Sequence, residues 1–173
     1  MWYALHVRSR HEKLVALLLG QKGFETFLPL YQVKHRWATA RRNSELPLFP
    51  CYVFCRFDLQ QRTKVISTQG VVSIVGAGSV PIPLDEKELD AVRAVVASGR
   101  DAERCEYLQV GSRVTIERGP LAGVEGVLVV AKNCRKFVVQ ISLLRRSVSV
   151  QVDADDLDWA PPTGARTVVG STK

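Results

Sequence analysis

Apolar and polar positions follow two rhythms along this chain, one of period two and one near 3.6. Trp2 to Val7 is short, aromatic and β-branched and reads as a strand. Ser9-Arg10-His11-Glu12 has the Ser-x-x-Glu spacing in which the hydroxyl accepts an amide three residues on and the carboxylate reaches back. It predicts a helix to about Gln21, with Leu14, Leu17 and Leu18 on one face and Gly23 as its stop. Phe24 to Val33 returns to the extended pattern. Lys34 to Ser44 has neither rhythm and reads as a basic excursion or hairpin tip, and Leu46 to Phe57 is a second strand region. Asp58-Leu59-Gln60-Gln61 repeats the capping arrangement before a short helix to about Ser67. Val71 to Val75 is another strand, and Gly76, Gly78, Pro81 and Pro83 mark a turn. Asp85-Glu86-Lys87-Glu88 opens a third helix with Leu89, Val92, Val95 and Val96 on one stripe, ending near Gly99.

Residues 1–99 therefore read as an α+β module whose sheet is flanked by helices, and the polar stretch 100–107 reads as a linker. Residues 108–160 change character: Val114 and Ile116 alternate, as do Val127 and Val129, then Val139, Ile141 and Leu143, then Val148, Val150 and Val152. Gly119-Pro120, Asn133 to Lys136 and Leu144 to Arg146 are the turn positions. Several short strands in about fifty residues predict a small closed barrel, because closure removes exposed edges. Residues 161–173 are small and polar and are expected to be disordered.

Charge adds a direction. The chain has 24 Lys plus Arg against 17 Asp plus Glu, a formal +7. The first 46 residues hold 8 basic and 3 acidic side chains, whereas residues 101–160 hold 8 and 9. The positive field thus gathers in the first third, which steers toward nucleic acid or an acidic partner. With 46% hydrophobic residues the composition excludes wholesale disorder. The longest apolar run, Leu14 to Leu19, is far short of the roughly 20 residues of a membrane helix. The opening residues do not read as a secretory signal, so a soluble cytoplasmic protein is expected.

The cysteines match no metal-ligand or redox spacing. On one strand Cys51 and Cys55 would sit about 13 Å apart, too far for a disulfide or a shared metal. Cys51, Cys55, Cys105 and Cys134 read as small buried or half-buried hydrophobes. No cofactor, metal or catalytic residue is expected, since no nucleophile elbow, phosphate loop or acid–base signature occurs.

Two segments carry a resemblance. Pro47-Leu48-Phe49-Pro50-Cys51-Tyr52-Val53-Phe54, in a module opening Trp2-Tyr3 and continuing through Gly70-Val71-Val72 to Pro81-Ile82-Pro83, resembles the N-terminal domain of the NusG family of transcription elongation factors. Val110-Gly111 through Val114, Ile116 and Gly119-Pro120-Leu121-Ala122-Gly123 to Gly126 resembles a KOW motif, which opens the SH3-like barrel ending those proteins. Cys51 departs from the glycine that the family most often has there. That departure, the Arg8-Ser9-Arg10-His11-Glu12 opening and the Pro-Leu-Phe-Pro segment resemble the operon-specific UpxY and RfaH branch of antiterminators.

The resemblance implies a non-enzymatic monomer that binds RNA polymerase, suppresses pausing or termination, and touches no membrane. Trp2, Tyr3, Phe49, Pro50 and Tyr52 match the patch that docks on the clamp helices of the largest subunit; Phe49 and Tyr52 are the two rings expected at the surface. Arg62 and Thr63 match a stretch that meets the second large subunit. The basic stretch Lys34, His35, Arg36, Trp37, Arg41 and Arg42, joined by Arg8, Arg10 and His11, is the candidate contact to the non-template DNA strand: cations neutralise phosphates and Trp37 offers a stacking face. Pro120, Leu121 and Val124 match the barrel loop that recruits NusE of the ribosome or Rho. A KOW-type ribosome- or RNA-binding protein without polymerase contact is the alternative, against which the acidic balance of residues 101–160 counts.

Overall fold

A computed structural model describes residues 1–37, 40–100, 102–105, 112–131 and 134–152; for 33–37, 40–43, 103, 112, 130, 131, 134 and 135 it describes the backbone. The predicted tail 161–173, linker residues 106 and 107 and the turn position Asn133 lie outside the described residues. β1 (Trp2–Val7) is the strand predicted, and α1 (Glu12–Gln21) follows it. β2 (Glu25–Phe27), β3 (Leu30–Trp37), β4 (Ala40–Pro47) and β5 (Tyr52–Arg56) come next. A 3-10 turn at Leu59–Gln61 leads into α2 (Arg62–Ile66), then β6 (Val71–Ile74). β7 (Gly76–Ala77) and β8 (Val80–Pro81) form a tiny hairpin before α3 (Glu86–Ala97).

β2, β5, β1 and β6 form one antiparallel sheet in that order. Side chains alternate across it. Tyr3, Leu5, Val7, Val53 and Cys55 form one core with Val15 and Leu19 of α1 and Val65 of α2. Trp2, Ala4 and Phe54 face the other way and join Leu89, Val92 and Val95 of α3. The segment expected as a basic excursion or hairpin tip is the far part of a two-stranded ribbon, β3 on β4, in register from Leu30↔Pro47 to Trp37↔Ala40.

The last part is the predicted β module: β9 (Ala102–Cys105), β10 (Ser112–Thr115), β11 (Glu125–Ala131), β12 (Cys134–Ile141) and β13 (Arg146–Gln151). They form a five-stranded antiparallel sheet in the order β10-β11-β12-β13-β9. Two corners fall where turns were predicted, at Gly119–Leu121 and around Arg145, whose φ of 49° is left-handed. Residues 102–105, predicted as linker, are instead the edge strand β9, paired with β13. Cys134 to Lys136, predicted as a turn, begin β12.

Three local predictions change. α1 buries Val15 and Leu19 and leaves Leu14 and Leu17 exposed, so the leucine face turns outward. Its N-cap is His11 with no side-chain cap, so Ser9 and Glu12 do not form the reciprocal pair. At α3 the cap is real, with Asp85 Oδ1 accepting from the Lys87 amide at 2.9 Å. The Glu88 carboxylate, however, reaches away to the barrel. At Asp58 no side-chain cap bond forms.

Candidate partner-binding faces

The turn between β4 and β5 is built from Leu48 to Cys51 and is pinned at both ends. The Leu48 amide donates to the Pro29 carbonyl at 2.9 Å, and the Val7 amide donates to the Cys51 carbonyl at 2.8 Å. Cys51 stands at φ 66°, a left-handed conformation that costs a non-glycine residue about 1–2 kcal/mol. Its amide donates at 2.9 Å to Oε1 of Glu12, a carboxylate only 5% exposed. Glu12 therefore does not cap its own helix; it holds this turn. Sequence reasoning missed that role, for nothing in the spacing tells a local carboxylate acceptor from one used 39 residues away.

Phe49 is only 1% exposed, its ring edge-on to Phe54 at 5.5 Å. Trp2 and Tyr3 are buried as well. The Arg93 guanidinium lies 4.6 Å from the centre of the Trp2 ring, while Tyr3 packs against Phe57 at 4.7 Å in the other core. The expected surface position of Phe49 is thereby corrected: the turn folds its ring into the face that α3 covers. Tyr52 is half-buried, 5.7 Å from the His6 ring, and Pro50 beside it is half-buried too. Of the proposed polymerase-contacting rings, Tyr52 alone keeps an accessible edge.

In the barrel, Leu121 is 2% exposed and Val124 half-buried, whereas Pro120 is exposed. The loop expected to offer Leu121 to a partner turns it inward, where the Gly119–Leu121 turn packs on α3. Trp2, Phe49, Phe54, the α3 stripe, Leu121, Phe137 and Ile141 all belong to one apolar cluster. Directed bonds between described residues fasten the barrel to the first module. The Ser142 amide donates to Glu88 Oε2 at 3.0 Å, Arg104 Nη2 to the Tyr31 hydroxyl at 2.9 Å, and Arg100 Nη1 to the Gln151 carbonyl at 3.1 Å. Between α3 and the barrel remains a groove of about 730 Å³, lined by Glu88 and Ala91 on one side and Val114, Val124 and Gln140 on the other.

Arg8 and Arg10 are exposed and His11 half-buried at the entry to α1, and Arg62 and Thr63 are exposed at the start of α2. The register of the ribbon sets His35 opposite Arg42 and Arg36 opposite Arg41, so the basic positions of both strands meet across it. The side chains of Lys34, His35, Arg36, Trp37, Arg41 and Arg42 lie outside the described residues.

No group of three His, Cys, Asp or Glu is placed to hold a metal among the described residues. Cys55 is buried, and that burial pushes its thiol up to about 12; Cys51 and Cys105 are half-buried. No described helix is long and apolar enough to cross a membrane.

Comparison with known proteins places this architecture. The family described as "Transcription termination factor nusG" matches residues 1–93. The Pseudomonas aeruginosa transcription termination/antitermination protein NusG is 28% identical over 172 residues, covering 91% of this chain and 97% of its own. The Escherichia coli NusG is likewise 28% identical, covering 92% and 96%. A solved structure titled "Domain interaction in Thermotoga maritima NusG" matches in fold with a TM-score of 0.54 at 22% identity, over 90% of this chain and 94% of that one. The chain belongs to the NusG family of transcription termination and antitermination factors.

Proposed function

We propose that this factor grips a transcribing RNA polymerase at the clamp helices of its largest subunit, using the sheet face of Trp2, Phe54 and the Phe49–Tyr52 turn. The described arrangement is then a closed form in which the barrel covers that face. The observation that carries this reading is the shared cluster: Trp2 and Phe49, expected to meet the polymerase, and Leu121, expected to meet a partner, are buried in one apolar cluster. Each surface serves as the other's cover. Large apolar faces are not left in water, and this one is covered by α3 with the barrel packed beyond it.

On opening, the aromatic face meets the clamp while Arg62 and Thr63 on the flank touch the second large subunit. The basic β3–β4 ribbon lies along the non-template strand, neutralising phosphates. The released loop of Pro120, Leu121 and Val124 becomes free to recruit NusE of the ribosome or Rho. No bond is made or broken. Binding the closed clamp better than the open one shifts the polymerase away from pausing, and a difference of about 1.4 kcal/mol changes the paused-to-active ratio tenfold.

The test is transcription through a pause site by purified bacterial polymerase. Tyr52→Ala is the suitable variant, since Phe49→Ala would hollow the core. The effect on pause lifetime is expected to vanish while circular dichroism stays native; an unchanged response overturns the clamp assignment. Replacing Arg36, Arg41 and Arg42 by Ala is expected to weaken recruitment and flatten its salt dependence, which equal recruitment at every ionic strength would contradict.

A further inference from the structure

The outer side of α1 is apolar where a surface helix is ordinarily polar. Val15 and Leu19 fill the core beneath it, yet Leu14 is 40% and Leu17 is 59% exposed, one turn apart on the solvent side. The charged side chains at the two ends of the helix are mostly basic, with Glu45, which pairs with Lys13, as the acidic exception. Arg10 and Lys13 stand at the N-terminal end and Lys22 at the C-terminal end, where its Nζ donates to the Lys64 carbonyl at 3.1 Å and brings α2 alongside. Glu12, the acidic residue of α1, is buried and already engaged by the Cys51 amide. Lys13 meets Glu45 at 3.3 Å, and among the described residues no carboxylate pairs with Arg10, Lys22 or Lys64.

We propose that this strip is a docking surface for an acidic, amphipathic helical segment of a protein partner. The two leucines give the partner's apolar residues something to bury against, and the cationic rim selects carboxylates. The exposed side of α1 carries no aromatic ring on which a base would stack, which sets it apart from a single-stranded nucleic acid site. The strip lies on the side of the sheet opposite α3 and the barrel, in the separate core of α1 and α2. Its occupant therefore does not compete with the barrel, and the inference stands whether or not the clamp reading does.

The test titrates the full chain with three probes, following backbone amide resonances. The first is a synthetic amphipathic helix of Leu and Glu, the second the same peptide with Ser for Leu, and the third a single-stranded oligonucleotide. The Leu/Glu peptide is expected to move the α1 amides and to bind about tenfold more tightly than the Ser/Glu peptide. Leu17→Ser, at an exposed position, is expected to remove most of that advantage without shifting the melting temperature. Equal binding of the two peptides, an unchanged affinity in the Leu17→Ser chain, or α1 shifts produced by the oligonucleotide instead would each overturn the proposal.

Discussion

The two faces of the first sheet are finished in different ways. One is sealed by α1 and α2, which arise within the same stretch of chain as the strands they cover, and its core of Tyr3, Leu5, Val53 and Leu19 is self-contained. The other carries Trp2, Ala4, Phe54 and Phe49 and shares its cluster with α3 and with barrel residues as distant as Phe137 and Val150. A face closed by local helices is permanent core. A face closed by a distant module is core only while that module stays. The described bonds that direct the second closure are each worth about 0.5–3 kcal/mol when buried and less where solvent reaches them. One sheet thus has a face closed by α1 and α2 alone and a face whose cluster runs on through α3 into the barrel, and in the reading proposed above the second is the exchangeable one.

The comparison is broken most severely by Phe54→Ala, which removes the ring at the centre of the exchangeable face. Urea unfolding is expected to lose about 3–5 kcal/mol, as for any fully buried Phe. Glu12→Ala probes the joint between the faces, because it takes the acceptor from the Cys51 amide. A loss of about 1–3 kcal/mol is expected, with Glu12→Gln recovering most of it by keeping an oxygen in place. The smallest effect is Cys51→Gly: relieving the left-handed strain is expected to raise stability by about 1 kcal/mol, read as a higher melting temperature.

Much of this architecture is legible in the chain because its signals are local. The aromatic, β-branched stretch of β1, the Asp85 cap of α3 and the Gly119-Pro120 corner each depend on residues close together in the chain. The failures share the opposite cause. α1 is apolar around most of its girth from Leu14 to Leu19, so periodicity alone does not choose between Leu14/Leu17 and Val15/Leu19 as the inward pair. The sheet beneath it makes that choice. Glu12 is claimed by a turn far along the chain rather than by Ser9. β9 has no apolar alternation and exists because β13 offers it a backbone edge. Phe49 and Leu121 look like exposed anchors in isolation, but both are buried in the cluster that runs from the sheet through α3 into the barrel. The candidate binding residues are recognisable by type and position; their burial is not, since it depends on packing between segments far apart in the chain.

The most direct measurement is the affinity of the full chain for bacterial RNA polymerase with and without the clasps that hold the barrel down. Glu88→Ala combined with Arg104→Ala removes the bonds to the Ser142 amide and the Tyr31 hydroxyl and leaves both cores untouched. If closure conceals the polymerase-binding face, loosening it by about 1.4 kcal/mol tightens polymerase binding by up to tenfold, and adding Tyr52→Ala abolishes the gain. Unchanged or weaker binding by the unclasped chain would contradict the account.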